Sequence, residues 1–254
     1  SIGSEAFFLC SSLESITVPD SVTSIGYAAF SKCSSLKSIT LPFVGGSLNG
    51  TSNTNFGYIF GTRTYYGQNT YIPSSLQTVV ITGGTSISKA AFYNCGNLKS
   101  ITLPDSVTSI GEDAFQDCVS LESITLGNKL TSIGEWMFYD CRSLKSITIP
   151  DGVKSIGKQA FSGCSSLESI TIPDSVTSIG YSAFDSCSSL RSITIPNSVT
   201  NIDKSIFSYC SSLKSVTFGN GVTSISSDTF YKCSSLESIT IPDSVRSIGS
   251  SAFS

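Results

Sequence analysis

Apolar side chains recur along this chain on a 23-residue clock. Phenylalanine marks it at Phe7, Phe30, Phe92, Phe115, Phe138, Phe161, Phe184, Phe207, Phe230 and Phe253. Cysteine keeps the same interval from Cys10 to Cys33 and from Cys95 through Cys118, Cys141, Cys164, Cys187 and Cys210 to Cys233, and leucine follows at Leu13, Leu36, Leu98 and onward to Leu236. Such a period marks an array of stacked units rather than one closed core. Within a unit the pattern changes twice. Ile170 and Ile172 alternate with Ser169 and Thr171, which predicts a short strand with one apolar and one hydroxyl face. Pro173 ends the strand, and Asp174 and Ser175 supply turn chemistry. Residues 176–179 read as a second short extended piece, and Gly180 permits a sharp turn. Residues 181–187 are expected to make one helical turn with Ala183, Phe184 and Cys187 facing inward.

One such unit cannot bury its own apolar residues, whereas stacked copies turn each apolar column into a continuous spine. The expected fold is therefore a repeat solenoid of about ten turns, a stack on the order of 50 Å long at a strand spacing of roughly 4.8 Å. Short parallel strands would line its concave face. The bulkier helical turns would splay on the convex face and bend the stack. Residues 1–254 read as a single solenoid, a piece of a longer protein whose two ends both fall inside a repeat.

The clock fails once. From Leu36 the next leucine of the column is Leu76, 40 residues on instead of 23. The surplus lies in a Tyr-rich insertion at residues 43–75, within the third turn, where Phe60 fills the usual Phe position and no cysteine follows it. Tyr58, Tyr65, Tyr66 and Tyr71 stand there among Gly, Asn, Ser and Thr. Long insertions in solenoids project from the stack and often carry function, and Tyr beside small polar residues suits adaptable binding loops. The alternative is that these tyrosines cover or brace the side of the stack.

Composition narrows the function. Charged residues make up 13% of the chain, about half the usual share, so hydroxyls must cover much of the surface. The net charge is −3 and no basic block exists, which argues against nucleic acid. No apolar run approaches the ~18 residues that insertion into a membrane requires. There is no histidine, the commonest general base and a common metal ligand.

The pattern L-x-x-I-x-I-P, then V-x-x-I-G-x-x-A-F-x-x-C, resembles the BspA-type leucine-rich repeats of bacterial and protozoan surface proteins, and the resemblance covers nearly the whole chain apart from the insertion. It implies a curved right-handed leucine-rich-repeat coil, a surface-exposed or secreted adhesion and interaction module, and no catalytic site carried by the repeat.

Several columns imitate chemistry. Nine cysteines invite a metal or disulfide reading, but no C-x-x-C spacing occurs and equivalent residues on stacked turns point in parallel, so free, buried, inert thiols are expected. Ser and Thr of the first strand form two hydroxyl ladders, including Ser146, Thr148, Ser169, Thr171, Ser192 and Thr194; without a base they are no nucleophiles, but they can dock a partner. Charges after the column leucine alternate in sign along most of the stack (Glu14, Lys37, Gln77, Lys99, Glu122, Lys145, Glu168, Arg191, Lys214, Glu237), Arg191 beside Lys214 excepted, as register control between similar turns. The column Asp105, Asn128, Asp151, Asp174, Asn197, Asn220 and Asp243 imitates a calcium ladder, yet turn chemistry accounts for it. Trp136 replaces a small or polar residue and is expected to be exposed, as a possible contact.

These readings converge on a non-catalytic interaction or adhesion module, extracellular or on a cell surface, that binds a protein or glycan on a host or neighbouring cell. No cofactor, metal, nucleic acid or membrane insertion is expected. The binding residues are Tyr58, Tyr65, Tyr66, Tyr71, Trp136, Ser146, Thr148, Ser169, Thr171, Ser192 and Thr194. A structural spacer presenting another domain is the alternative. The chain is expected to be monomeric, with end-to-end association as an artefact of open repeat ends.

Overall fold

In the computed structural model, which describes residues 1–254, the chain is a parallel-strand solenoid of about ten turns with few helices. It divides into two compact units, Ser1–Lys129 and Leu130–Ser254.

In the first unit, strands Ser15–Thr17, Ser38–Leu41, Thr78–Ile81, Ser100–Thr102 and Ser123–Thr125 form one parallel sheet in that order. Equivalent residues of successive turns face each other, as in Ser15↔Ser38, Ile39↔Val79 and Ile101↔Ile124. A slip of one residue would bury the hydroxyls and expose the isoleucines, so the alternation itself sets the register. In the second unit, Ser146–Thr148 pairs with Ser169–Thr171, and Ser192–Ile195, Ser215–Phe218 and Ser238–Ile239 form a separate sheet. The two-residue second strands make their own ladders, of which Ser132–Ile133, Ser155–Ile156, Ser178–Ile179 and Asn201–Ile202 form the longest.

The segment expected as a helical turn is not helical. Ala90, Phe92 and Asn94 send their amides to the carbonyls of Glu112, Ala114 and Gln116 in the next turn, at 2.9, 2.8 and 2.7 Å. A helix would spend those amides inside the segment; here alternate residues spend them between turns. The chain closes instead through two left-handed residues, Ala90 at φ 53° and Asn94 at φ 55°, repeated at Ser182 (51°) and Ser186 (59°). Each left-handed non-glycine residue costs about 1–2 kcal/mol, which the inter-turn ladder must offset. The inward residues are those expected: Ala183, Phe184 and Cys187 are fully buried.

Phenylalanine rings stack face to face along each unit, with Phe92 and Phe115 centred 5.4 Å apart and Phe161 and Phe184 likewise at 5.4 Å. Glycine precedes most of these turns at a close approach, since a Cβ on Gly180 would lie 2.8 Å from the Lys158 amide nitrogen; Ser88, Asp203 and Ser226 are the exceptions. Ser226 stands where that glycine belongs. Its hydroxyl donates to the Ile202 carbonyl at 3.0 Å, the place taken elsewhere by a backbone amide such as Gly180 N to Ile156 O at 2.9 Å. The second-strand ladder is interrupted at this point, between Asn201–Ile202 and Ser224–Ile225.

The insertion folds into the first unit rather than only projecting from it. Short helical turns occupy Phe56–Phe60, Tyr65–Gly67 and Gln68–Tyr71, and Phe43, Phe56, Ile59, Phe60 and Ile72 are buried. Phe60 takes the phenylalanine position toward the preceding turn, where Phe30 N donates to Ile59 O at 2.8 Å. Phe56 takes it toward the following turn, where Phe56 N donates to Ala91 O at 2.8 Å. The column is thus doubled, with Phe56 and Phe60 5.2 Å apart and Phe56 4.9 Å from Phe92.

Candidate interaction surfaces

The hydroxyl side of the first strands is open. Ser146, Thr148, Ser169, Thr171, Ser192 and Thr194 are all exposed, while Ile147, Ile170 and Ile193 between them are buried. A groove of about 570 Å³ runs over Ser169, Thr171, Asp174, Ser192, Thr194, Asn197, Thr217 and Gly219. It lies where the first-strand ladder is interrupted, since Ser169–Thr171 and Ser192–Ile195 belong to different sheets. The structure therefore gathers four of the six expected hydroxyls into one concavity; Ser146 and Thr148 lie outside its lining. Flanking charges pair along the first unit and at the far end of the second, Lys37 with Glu14 at 3.0 Å, Lys99 with Glu122 at 3.7 Å and Lys214 with Glu237 at 3.7 Å. All are exposed, so each pair is worth at most about 1 kcal/mol.

The aspartate and asparagine column is turn structure. Asp105 Oδ1 accepts the Asn128 amide at 3.0 Å, and Asn197 Oδ1 accepts the Asn220 amide at 2.8 Å. Oxygens spent on the next turn's backbone do not converge on a cation. No three His, Cys, Asp or Glu side chains gather closely enough to hold a metal ion.

The nine cysteines are free, and all but Cys10 are buried. Burial pushes the Cys118 thiol from the ordinary 9.0 up to about 12 and Cys233 up to about 11, far from a nucleophilic range.

The inserted tyrosines separate into two groups. Tyr58 lies half-buried against Tyr27, ring centres 5.6 Å apart, while the Tyr27 hydroxyl donates to the Gly61 carbonyl at 2.5 Å and Arg63 covers the Tyr27 ring. This group braces the insertion. Tyr65 and Tyr66 lie 4.2 Å apart and meet Tyr93 of the next turn edge-on at 5.6 and 5.9 Å; the Tyr65 hydroxyl donates to that of Tyr66 at 2.9 Å. Tyr66 is 67% exposed. Tyr71 is exposed and apart from both groups, its ring packed along Gly61 and Gly67. Beneath them Gln68 is fully buried, accepting the Gly57 amide at 2.7 Å and donating to the carbonyls of Ala90 and Tyr93.

Trp136 is half-buried rather than exposed. Its indole N–H donates to Gln159 Oε1 at 3.0 Å and the Lys158 ammonium sits 4.9 Å from its ring centre. The long side chains of Lys158 and Gln159 in the following turn cover it.

The sequence matches the BspA type leucine rich repeat region in six copies, over residues 1–84, 85–210 and 137–254. The chain belongs to the BspA-type leucine-rich-repeat family. Membership places it among protein-interaction repeat modules, and such solenoids are generally non-catalytic. No curated protein sequence matches it. Among solved structures, a leucine-rich repeat protein from Bacteroides ovatus is 30% identical, with 100% of this chain and 67% of that chain covered at a TM-score of 0.62. A leucine rich repeat protein of T. pallidum is 33% identical over 63% of this chain and 77% of that one, at a TM-score of 0.55. A leucine rich cell surface protein from Faecalibacterium prausnitzii is 29% identical over 94% of this chain and 66% of that one, at a TM-score of 0.59. The BspA-type chain thus spans about two thirds of the length of the Bacteroides and Faecalibacterium proteins. No helix is long and apolar enough to cross a membrane.

Two residues of this BspA-type chain's insertion region escape the sequence reading: Tyr93, which meets Tyr65 and Tyr66, and the buried Gln68 beneath them. Tyr93 had a usable signal, an aromatic in a mixed column one turn after the insertion. Gln68 had none, since no repeat position corresponds to it.

Proposed function

We propose that this chain is a non-catalytic binding module of a secreted or cell-surface protein, and that it attaches to a protein or glycan on a host or neighbouring cell. The observation that carries the reading is the groove over Ser169, Thr171, Ser192 and Thr194. Its hydroxyls offer both donors and acceptors, Asp174 and Asn197 add distinct polar groups at one edge, and buried isoleucines hold the whole array rigid. The family supports a protein-binding role, and the likeness to the Faecalibacterium cell surface protein supports an extracellular location. Catalysis finds no support: there is no histidine, and the buried thiols are held protonated by desolvation.

A second reading, a spacer presenting another domain, draws on the near identity of turns such as 164–185 and 233–254. Binding of the purified chain to arrays of extracellular proteins and glycans and to intact cells separates the two. The module reading expects saturable binding to a defined class; a chain that binds nothing across all three supports the spacer.

A further inference from the structure

Five aromatic rings of this chain lie under its own cations. Lys32 lies 5.6 Å from the Phe8 ring centre, Arg63 4.7 Å from Tyr27, Lys158 4.9 Å from Trp136 and 6.0 Å from Tyr181, and Lys232 5.3 Å from Tyr231. A cation over a ring face is drawn to its quadrupole, so these contacts are attractive as well as shielding. The cluster of Tyr65, Tyr66 and Tyr93 has no such cover, and unlike the uncovered Tyr71 and Tyr209 it gathers three rings. Three rings lie within 6 Å of one another and Tyr66 is 67% exposed, yet no cation sits over any of them. The nearby Lys89 is held to one side by Glu112 at 2.6 Å and Asp113 at 3.7 Å. Asp117 meets the cluster from the next turn, bonded to Tyr93 and to the Gln116 amide at 3.2 Å. Asp113 and Asp117 thus border the rings, and Glu112 joins Asp113 in holding the one nearby ammonium.

We propose that the Tyr65–Tyr66–Tyr93 cluster docks an arginine-bearing segment of a protein partner, the guanidinium lying on the exposed Tyr66 ring and reaching the Asp117 carboxylate. Charge complementarity selects a cation, and the combination of a flat ring with a carboxylate selects arginine over lysine, because a planar guanidinium stacks and forks at once. Arg63 on Tyr27, 4.7 Å away, is the same contact made within the molecule. The rigid base comes from Gln68, whose amide ties the insertion to the carbonyls of Ala90 and Tyr93. The inference deepens the module reading by naming a partner chemistry at a second surface, and it is separable from the hydroxyl groove.

The test titrates the full chain with acetyl-Gly-Arg-Gly-Arg-Gly-amide, followed by tyrosine NMR signals, alongside the same peptide carrying citrulline, which keeps the shape and removes the charge. The expected result is saturable binding that shifts Tyr66 and Tyr93, weakens with salt, and is lost with citrulline. Tyr66→Ala and Asp117→Asn should each weaken it ~3- to 10-fold, and Tyr181→Ala, which belongs to the second unit, should leave it unchanged. Asn tolerates the left-handed backbone of Asp117 (φ 59°), so that variant keeps its fold. Equal binding of the citrulline peptide, wild-type affinity in both variants, or perturbation of Tyr66 by neutral oligosaccharides and not by the arginine peptide would each overturn the proposal. Failure here with binding retained at the hydroxyl groove overturns this site alone.

Discussion

Cys118 Sγ stands 3.2 Å from the carbonyl oxygen of Phe92 in the preceding turn and donates to it. The same contact joins Cys33 to Phe7, Cys164 to Phe138, Cys187 to Phe161, Cys210 to Phe184 and Cys233 to Phe207, at 3.0–3.2 Å. The left-handed turns point a buried carbonyl at the next layer, and the thiol is the small apolar group that can still partner it. Cys118→Ala should remove both the partner and a buried sulfur, costing about 2 kcal/mol. Cys118→Ser, which keeps a donor, should lose less. Cys95 has its nearest acceptor at 3.9 Å, in its own turn, so Cys95→Ala should cost less than Cys118→Ala. Urea unfolding followed by circular dichroism measures all three.

The buried thiols also set a pH limit. Their folded pKa values lie above the ordinary 9.0, reaching about 12 at Cys118 and about 11 at Cys233 through desolvation. Above pH 9 the unfolded chain releases thiol protons that the folded chain retains, so stability is intact below 9 and falls as pH rises toward 12. Each such thiol contributes about 1.4 kcal/mol per pH unit within that window. Urea midpoints taken on either side of it should drop steeply at high pH, and Cys118→Ser should reduce the slope by one thiol's share.

The left-handed positions give a prediction of opposite sign for two substitutions at one site. Ser205 has φ 59°, and its amide donates to Ser227 O at 3.1 Å. Ser205→Gly removes the Cβ penalty and should leave stability unchanged or raise it by up to about 1 kcal/mol. Ser205→Val adds β-branching where φ is positive and should destabilise by more than about 1 kcal/mol. A helical turn at 203–209 would show the reverse order, because Gly costs about 1 kcal/mol in a helix interior. Thermal melts of the two variants distinguish the geometries.

The glycine column separates close approach from flexibility. A Cβ on Gly180 would meet Lys158 N at 2.8 Å and Gly157 C at 2.9 Å, both backbone atoms. Gly180→Ala should therefore destabilise by roughly 1–3 kcal/mol through forced separation of two turns. Ser226→Gly should be milder, since loss of the Ser226 hydroxyl on Ile202 O frees the turn to form the ordinary amide contact.

How far the chain was legible depends on whether a residue repeats. Phe, Cys and Leu recur every 23 residues and are buried in the interior turns, so the stack, its register and the inert thiols could be read directly. The turn segment was misread as helical because Ala183, Phe184 and Cys187 satisfy a helical spacing equally well. Asn94, Asp117, Asp140 and Gly163, residue types that tolerate positive φ in the position before cysteine, were the signal against it. Of the candidate surfaces, the exposed hydroxyls followed from strand alternation. The groove did not, because it depends on where the ladder is interrupted, and the sequence there, Ser-Ile-Thr-Ile in both turns, is unchanged. Inside the insertion Phe60 was placed but Phe56 and Gln68 were not: once the period fails, only three-dimensional contact assigns a residue its layer.

The most direct measurement compares cell-surface or array binding of the intact chain with that of a Thr171→Arg, Thr194→Arg double variant. Both threonines are exposed and line the groove, so the substitutions fill it without touching the core. The account predicts an unchanged circular dichroism spectrum and thermal midpoint together with a loss of at least ~10-fold in affinity for the surface ligand. Undiminished binding by a folded double variant would contradict the assignment of the hydroxyl groove as the binding face.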